Sequence, residues 1–224
     1  MDMEMHLFDV IGPVMIGPSS SHTAGACRIG RTAMRLLGED VKTADIAFCG
    51  SFASTYRGHG TDRAVVGGLM NFHTYDERLR SSLHIAAERG MDVHFSTVNL
   101  KNAHPNTVRL RLTGVTGRNI EVVGASVGGG AIEIRQIDGL NVSITARKHT
   151  LIIVQNDEPG MVANVSMLLS SAHVNIATMN LSRSNAGGQA IMCMELDDLP
   201  PEPIVDALRV MRGIIRVTLL KKLG

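Results

Sequence analysis

A short run near the start of the chain concentrates side chains that can hold small polar molecules and exchange protons. Four hydroxyls and one imidazole fall within five consecutive residues, just ahead of a predicted helix: Ser19, Ser20, Ser21, His22 and Thr23. The N-terminus of a helix presents unpaired N–H groups and a partial positive charge, which hold small anions such as carboxylates. The combination suits a small zwitterion or hydroxy acid, although Ser-rich runs ahead of helices are also typical of simple turns and caps.

Three further polar loops carry similar groups. Glycines on both sides of His59, in the run Gly-His-Gly-Thr-Asp at residues 58–62, leave its imidazole accessible. A His-Pro-Asn-Thr run at residues 104–107 and three glycines at residues 128–130 complete the set. Each of these runs alone also fits an ordinary turn or flexible loop. Three loop histidines could suggest a zinc site, but no His-x-x-His or His-x-Glu spacing supports one.

The composition favours a soluble globular protein that binds neither nucleic acid nor membranes. The chain has 224 residues, of which 44% are hydrophobic and 19% charged, which is enough for two domains. Only 3% are aromatic, Trp is absent and the net charge is +1, so stacking platforms and phosphate-binding stripes are not expected. Gly12 and Pro13 interrupt the apolar stretch at residues 10–16, which therefore predicts neither a signal peptide nor a membrane span. A cytoplasmic location is expected.

Three cysteines, Cys27, Cys49 and Cys193, are scattered along the chain. An odd, widely spaced set does not form a disulfide framework. Three thiolates could in principle hold an iron–sulfur cluster. Cys193, however, lies within an apolar predicted strand, and the favoured interpretation is that all three are small core residues.

The part of the chain up to Arg147 has the pattern of a mixed α/β domain. Its hydrophobic periodicity predicts helices at 22–37, 61–72 and 76–89, and strands at 45–49, 91–98, 107–114, 119–126, 131–137 and 140–145. Thr61 is the predicted cap of the second helix. The composition changes at Arg147-Lys148-His149, so domains are expected at 1–147 and 148–224.

The second part predicts the order β-α-β-β-α-β, a ferredoxin-like arrangement, so the whole chain is expected to be α+β. With Asp157-Glu158-Pro159-Gly160 in its first strand-to-helix loop, this part resembles an ACT domain, the amino-acid-sensing regulatory module. The resemblance implies an effector site at Asn156, Asp157, Gly160 and Met161. Because open sheets of this kind often pair edge to edge, a homodimer through this domain is expected.

The motifs taken together closely resemble one family over essentially the whole chain. They are residues 17–23, Gly50-Ser51, residues 58–62, residues 104–107 and residues 128–130, in this order and followed by the ACT-like part. The set resembles the β chain of the two-subunit, iron–sulfur-dependent bacterial L-serine dehydratases. The first domain is also similar to the allosteric substrate-binding domain of some phosphoglycerate dehydrogenases.

This resemblance implies an enzyme that converts L-serine to pyruvate and ammonia without pyridoxal phosphate. It places a [4Fe–4S] cluster on a partner α chain, where one iron acts as a Lewis acid on the substrate hydroxyl. The present chain lacks a cysteine set for such a cluster, as expected of a β chain, and no metal ligands are assigned to it.

The same resemblance implies roles for individual residues. His22 and His59 are the candidates for proton transfer, since imidazole titrates near neutral pH. Asp62 would orient His59 or neutralise an ammonium group. The expected substrate-binding residues are Ser19, Ser20, Ser21, Thr23, Gly60, Thr61, Asp62, His104 and Asn106.

Other functions stay open at this point. The chain could bind serine at residues 19–23 only to regulate a catalytic α chain. It could also be a free-standing amino-acid sensor with no enzyme partner, or a zinc hydrolase. A Cys-rich partner chain would favour the dehydratase over the sensor.

Overall fold

The structure is a computed structural model that describes residues 14–223. Residues 10–13 of the apolar stretch therefore lie outside the described part. The chain forms two compact units, the first ending at Asp138 and the second beginning at Gly139. The α+β class is confirmed, with a mixed sheet and helices in the first unit and a four-stranded antiparallel sheet in the second. The domain limits at residues 147 and 148 remain a prediction.

The helices of the first unit carry or adjoin the polar runs. The helix predicted at 22–37 begins earlier, as a π-helical turn, and the one at 76–89 starts with a 3-10 turn. The elements are the π-helical turn Ser20–Gly25, α1 (Ala26–Leu37), α2 (Gly50–Thr55), α3 (Thr61–Leu69), the 3-10 helix Glu77–Ser81 and α4 (Ser82–Glu88). The sequence did not predict α2, and the prediction that Thr61 caps α3 was wrong. Gly60 is the N-cap residue, with a φ of 69° that favours glycine.

The strands of the first unit lie close to the predicted ranges. They are β1 (Val41–Phe48), β2 (Asp92–Thr97), β3 (Thr107–Gly114), β4 (Asn119–Gly128) and β5 (Ala131–Ile137). They lie in the order β2-β1-β3-β4-β5, with β1 and β2 parallel and the other pairs antiparallel.

Several of the polar runs lie together at one end of the strands of this sheet. Phe48 at the end of β1 is opposite Val108 near the start of β3, and Thr107 is opposite Ala125 near the end of β4. The segments that follow β1, precede β3 and follow β4 therefore meet. These segments contain Ser51, the His104 loop and the three glycines.

A backbone-to-backbone contact fixes α1 against α3. A Cβ atom on Gly30 would overlap the carbonyl oxygen of Val65, and one on Gly68 would overlap that of Cys27. Only glycine permits such a close approach at both positions. Since α1 continues the turn that carries His22, and α3 begins shortly after His59, this contact supports the placement of both histidines.

The second unit begins with a strand, β6 (Leu140–Ile144), and from His149 onward has the ferredoxin-like order β-α-β-β-α-β that the sequence predicted. The six elements of that order are β7 (His149–Asn156), α5 (Met161–Ser171), β8 (Ile176–Arg183), β9 (Gln189–Leu196), α6 (Glu202–Arg209) and β10 (Ile214–Leu220). The antiparallel sheet has the order β10-β7-β9-β8. Its core joins one sheet face to α5 and α6 through Leu151, Ile153, Val165, Leu169, Met192, Met194 and Leu208. Between residues 14 and 223, no helix has the length and apolar character that a membrane crossing requires.

Candidate active site

His22 is held in place by hydroxyl groups at both ring nitrogens. Its Nδ1 lies 3.3 Å from Ser19 Oγ, and its Nε2 lies 3.3 Å from Ser51 Oγ. Ser19 Oγ also accepts a hydrogen bond of 3.1 Å from the backbone N–H of His22, as the N-cap of the π-helical turn. The ring of His22 is therefore fixed by two hydroxyls that come from different parts of the chain.

The ring of His59 meets the ring of His22 edge-on. The two ring centroids are 4.8 Å apart with an interplanar angle of 83°, and Phe52 contacts His22 in a similar geometry at 5.2 Å. His59 itself is exposed. Within residues 14–223, no hydrogen bond engages its ring nitrogens. The structure thus brings together the two predicted catalytic histidines, one fixed and one accessible.

The backbone around His59 is anchored to neighbouring elements. The N–H of His59 donates to the carbonyl of Thr55, at 3.0 Å, and the N–H of Thr61 donates to that of Tyr56, at 2.9 Å. The hydroxyl of Thr23 donates to the carbonyl of His59, at 3.4 Å. The α2 helix and the π-helical turn therefore both position the loop.

The electrostatic environment keeps His22 neutral. Burial, and to a smaller extent the charge on His59, lowers the pKa of His22 below its ordinary value of 6.5. At neutral pH the imidazole is therefore uncharged, with one nitrogen donating and one accepting.

This shift predicts a specific titration. In NMR spectra of the full chain, the imidazole of His22 will titrate below pH 6.5, and the variant His59→Asn will raise that midpoint because it removes a repelling charge. The midpoint will stay below 6.5, since burial is the larger cause. As the pH falls through 6.5, His22 takes up a proton in the unfolded chain before it does so in the folded chain. Below that pH the folded state is therefore destabilised relative to the unfolded state. A midpoint at or above 6.5 in the wild-type chain would contradict this assignment.

Asp62 and Thr61 lie at the start of α3, next to His59 in sequence. The carboxylate of Asp62 is 8% exposed and accepts a 2.8 Å hydrogen bond from the N–H of Arg63. Burial raises the pKa of Asp62, and the neighbouring N–H and guanidinium of Arg63 oppose this rise. Among the described residues Asp62 has no hydrogen bond to His59. The hydroxyl of Thr61 is buried with no hydrogen-bond partner in the described part of the chain.

The His104 loop adjoins the start of α2. His104 Nδ1 accepts a 3.1 Å hydrogen bond from the N–H of Asn106, and the hydroxyl of Thr107 donates to the His104 carbonyl at 2.7 Å. Gly50 has a φ of 58°, and a Cβ atom there would lie 2.6 Å from the carbonyl oxygen of Pro105. The loop therefore packs against the residue that precedes Ser51.

Ser126 and the glycine run lie at the same end of the strands as the His104 loop. The N–H of Ser126 donates to the carbonyl of Asn106 at 2.9 Å, and its hydroxyl is buried without a hydrogen-bond partner in the described residues. A Cβ atom on Gly25 would overlap that hydroxyl. The chain itself therefore approaches the backbone closely at Gly25. Gly130 contributes its carbonyl to Arg28, at 2.9 Å.

His59 also lines a cavity of about 430 Å³. Thr23, His59 and Gly60 line it together with three arginines, whereas Ser19, His22 and Ser51 do not. Ser20 and Ser21 are half-buried in the π-helical turn. Ser51 and Phe52 are site residues that the sequence reasoning did not assign, although Gly50-Ser51 stands among the motifs.

The cysteines do not fit an iron–sulfur cluster. All three are buried, and burial raises the pKa of both Cys27 and Cys193 to about 12, so these thiols stay protonated. The thiol of Cys27 donates to the carbonyl of Phe72 at 3.4 Å. Within residues 14–223, no three His, Cys, Asp or Glu side chains are grouped so that they could share a metal ion.

The predicted effector residues lie at the first loop of the ACT-like sheet. Asp157 Oδ2 accepts hydrogen bonds of 3.1 Å from Gly187 N–H and from Arg183 Nη1, which lower the pKa of Asp157. Asn156 donates its N–H to the carbonyl of Gly213 at 2.8 Å. Gly160 is the N-cap residue of α5, and Met161 is 4% exposed. The carboxylate of Asp157 thus already links the loop after β7 to Arg183, at the end of β8, and to Gly187, in the turn between β8 and β9.

Comparison with known families matches both parts of the chain. The model of the serine dehydratase beta chain matches residues 6–79, and that of the ACT domain matches residues 149–213.

Curated relatives extend the match to nearly the full length. The chain is 42% identical over 212 residues to a probable L-serine dehydratase beta chain of Bacillus subtilis (strain 168), covering 95% of this chain and 96% of that protein. It is 35% identical over 216 residues to an L-serine dehydratase beta chain of Peptoniphilus asaccharolyticus, covering 96% of each. A D-3-phosphoglycerate dehydrogenase of Archaeoglobus fulgidus is 26% identical over 85% of this chain and 36% of its own length. Because the two beta chains match from one end to the other, the chain belongs to the family of L-serine dehydratase beta chains that carry an ACT domain.

Proposed function

We propose that this chain is the β subunit of an enzyme that converts L-serine to pyruvate and ammonia and that is active only with its α chain. The names of the two full-length relatives support this activity. The observation that carries it is the edge-on pair of His22 and His59, with its centroids 4.8 Å apart and hydroxyl groups on both sides.

The reaction requires a base and a departing hydroxyl group. L-Serine loses its α proton to the base and its hydroxyl as water, which leaves 2-aminoacrylate. This enamine tautomerises to an imine, and water hydrolyses the imine to pyruvate and ammonia. The [4Fe–4S] cluster that the family resemblance implies belongs, in this proposal, to the α chain, because the buried thiols of Cys27, Cys49 and Cys193 do not fit it.

His59 is the group that takes the α proton in this scheme. It is exposed, it has a glycine on each side, and its ring nitrogens are not engaged within residues 14–223. Both nitrogens of His22, in contrast, lie within 3.3 Å of a serine hydroxyl. His22 therefore positions His59 through the ring contact and provides an uncharged neighbour for a proton acceptor.

Substrate binding falls to hydroxyls that the fold has not already used. Ser19 holds His22 and Thr23 holds the His59 loop. Ser20 and Ser21 are therefore the best placed to bind the zwitterion of the substrate. Thr61 is a further proposed binding residue, since its hydroxyl has no hydrogen-bond partner among the described residues. Asp62, His104 and Asn106 shape the loops around the site, through their contacts with the backbone.

The ACT domain is proposed to regulate and to dimerise. Its sheet ends in the edge strands β10 and β8, and an open edge is a ready template for pairing with a second copy. Asn156, Asp157, Gly160 and Met161 are the proposed effector residues. The present hydrogen bonds of Asp157 mean that an effector would have to bind beside that carboxylate or displace Arg183.

A regulatory function without catalysis is the second candidate. The observation in its favour is that a D-3-phosphoglycerate dehydrogenase matches 85% of this chain with only 36% of its own length. The same pair of domains thus occurs in a protein of a different name. In this case the histidine pair would bind serine and transmit its presence to the α chain.

Turnover assays with both subunits test the proposal. Co-expressed with its α chain under anaerobic conditions, the chain will support formation of pyruvate from L-serine, whereas neither chain will do so alone. Pyruvate formation by the α chain alone, at the rate of the pair, would favour the regulatory function.

A further inference from the structure

The cavity beside His59 has a strongly cationic lining. Arg57, Arg63 and Arg80 all line it, together with His59. The described residues that form its remaining walls include neither Asp nor Glu. Three guanidinium groups therefore face a space of about 430 Å³ without an acidic side chain among them.

Within residues 14–223, none of these three arginines forms an ion pair, and all three are exposed. The nearby carboxylate of Asp62 attracts Arg63 and Arg57, but it is 8% exposed and accepts a hydrogen bond from the backbone of Arg63. Elsewhere on the described surface, arginines such as Arg78 and Arg111 do pair with acids. The positive charge at the cavity is thus available to a ligand.

We propose that this cavity binds a small anion with two negative charges, either a dicarboxylate or a phosphate-bearing metabolite. Guanidinium groups bind carboxylate and phosphate oxygens in a two-pronged geometry, and charge-assisted hydrogen bonds of this kind are the strong ones. The volume lies in the range typical of small-molecule sites. A zwitterionic amino acid has no net charge, so we expect it to bind here more weakly than a dianion does. Thr23, His59 and Gly60 line the cavity, which therefore adjoins the proposed active site, whereas Ser19, His22 and Ser51 do not line it. The inference concerns binding to this chain alone and does not depend on the dehydratase reaction.

Titration calorimetry on the full chain, without the α chain, tests this site. At constant ionic strength, malonate or inorganic phosphate will bind at least tenfold more tightly than acetate or L-serine. The double variant Arg63→Gln/Arg80→Gln will weaken binding of the dianion at least tenfold. Neither side chain has a hydrogen bond within the described residues, so the variant will keep the unfolding midpoint of the wild type. Arg147→Gln/Arg212→Gln, which removes two exposed arginines of the second unit, is the charge-matched control and will bind as the wild type does.

Three outcomes would overturn the proposal. The first is equal binding of malonate, acetate and L-serine. The second is unchanged binding in the double variant. The third is an equal loss in Arg147→Gln/Arg212→Gln, which would show a general effect of net charge. The relative affinities of malonate and phosphate distinguish the two ligand classes, and since no turnover is measured, failure of the proposed reaction would leave these results intact.

Discussion

Replacing His59 by Asn will lower the turnover number for L-serine, measured with the α chain present, by about 10²- to 10⁴-fold, the usual contribution of a positioned acid or base. Asparagine keeps a polar group of similar reach but cannot take up a proton near neutral pH. Because His59 is exposed and its ring nitrogens form no hydrogen bond with the described residues, the fold will be unaffected. The loss will therefore appear in kcat, with a smaller change in KM.

The same substitution at His84 provides the control. His84 is an exposed histidine on α4, and among the described residues it pairs only with Glu88, at 3.2 Å. His84→Asn will retain the turnover of the wild type. Wild-type turnover in His59→Asn would remove His59 from the reaction. Loss of serine binding with an unchanged rate at saturation would identify it as a binding residue and favour the regulatory function.

Sequence periodicity was sufficient for elements whose burial is regular. In the second unit, the elements from β7 onward pack one face into a single core, so alternating and 3.6-residue patterns coincide with strands and helices. The buried Met161, Val165 and Leu169 of α5 lie four residues apart and therefore on one face of the helix. The strands β3 and β5 of the first unit were predicted to the residue for the same reason.

Short elements positioned by tertiary contacts left no such signal. The helix α2 has six residues, of which only Phe52 is buried. Its start is set by the positive φ of Gly50 and by Pro105, a residue more than fifty positions away. Because α2 was not predicted, Ser51 could not be placed beside His22.

The chemistry of the site was predictable in type but not in arrangement. The family resemblance makes both His22 and His59 candidates for proton transfer, and in the structure the centroids of their rings are 4.8 Å apart. The difference between a fixed and an accessible imidazole depends on Ser19 and Ser51, which lie in separate elements. The arginine cavity is harder still to predict, since Arg57, Arg63 and Arg80 converge only through the packing of a loop, a helix and a 3-10 turn.

The second large effect is expected from a substitution at the contact between α1 and α3. Gly68→Ala will lower the free energy of unfolding by about 2 kcal/mol, because overpacking costs up to about 3 kcal/mol and the better helix propensity of Ala recovers about 1. The new Cβ atom would overlap the carbonyl oxygen of Cys27 and lie 2.8 Å from the backbone nitrogen of Arg31. Neither backbone atom can move without displacing α1.

Gly67→Ala is the matched control in the same helix. It gains the same helix propensity, but its Cβ atom would meet the end of the Leu79 side chain, which can rotate away. Urea denaturation of the full chain, followed by circular dichroism, will show Gly67→Ala close to the wild type and Gly68→Ala clearly less stable. Equal stability of the two variants would mean that α1 and α3 do not touch through their backbones. In that case the two histidine-bearing segments would be held together by their own contacts, Thr23 with His59 and His22 with Ser51, rather than by the helices behind them.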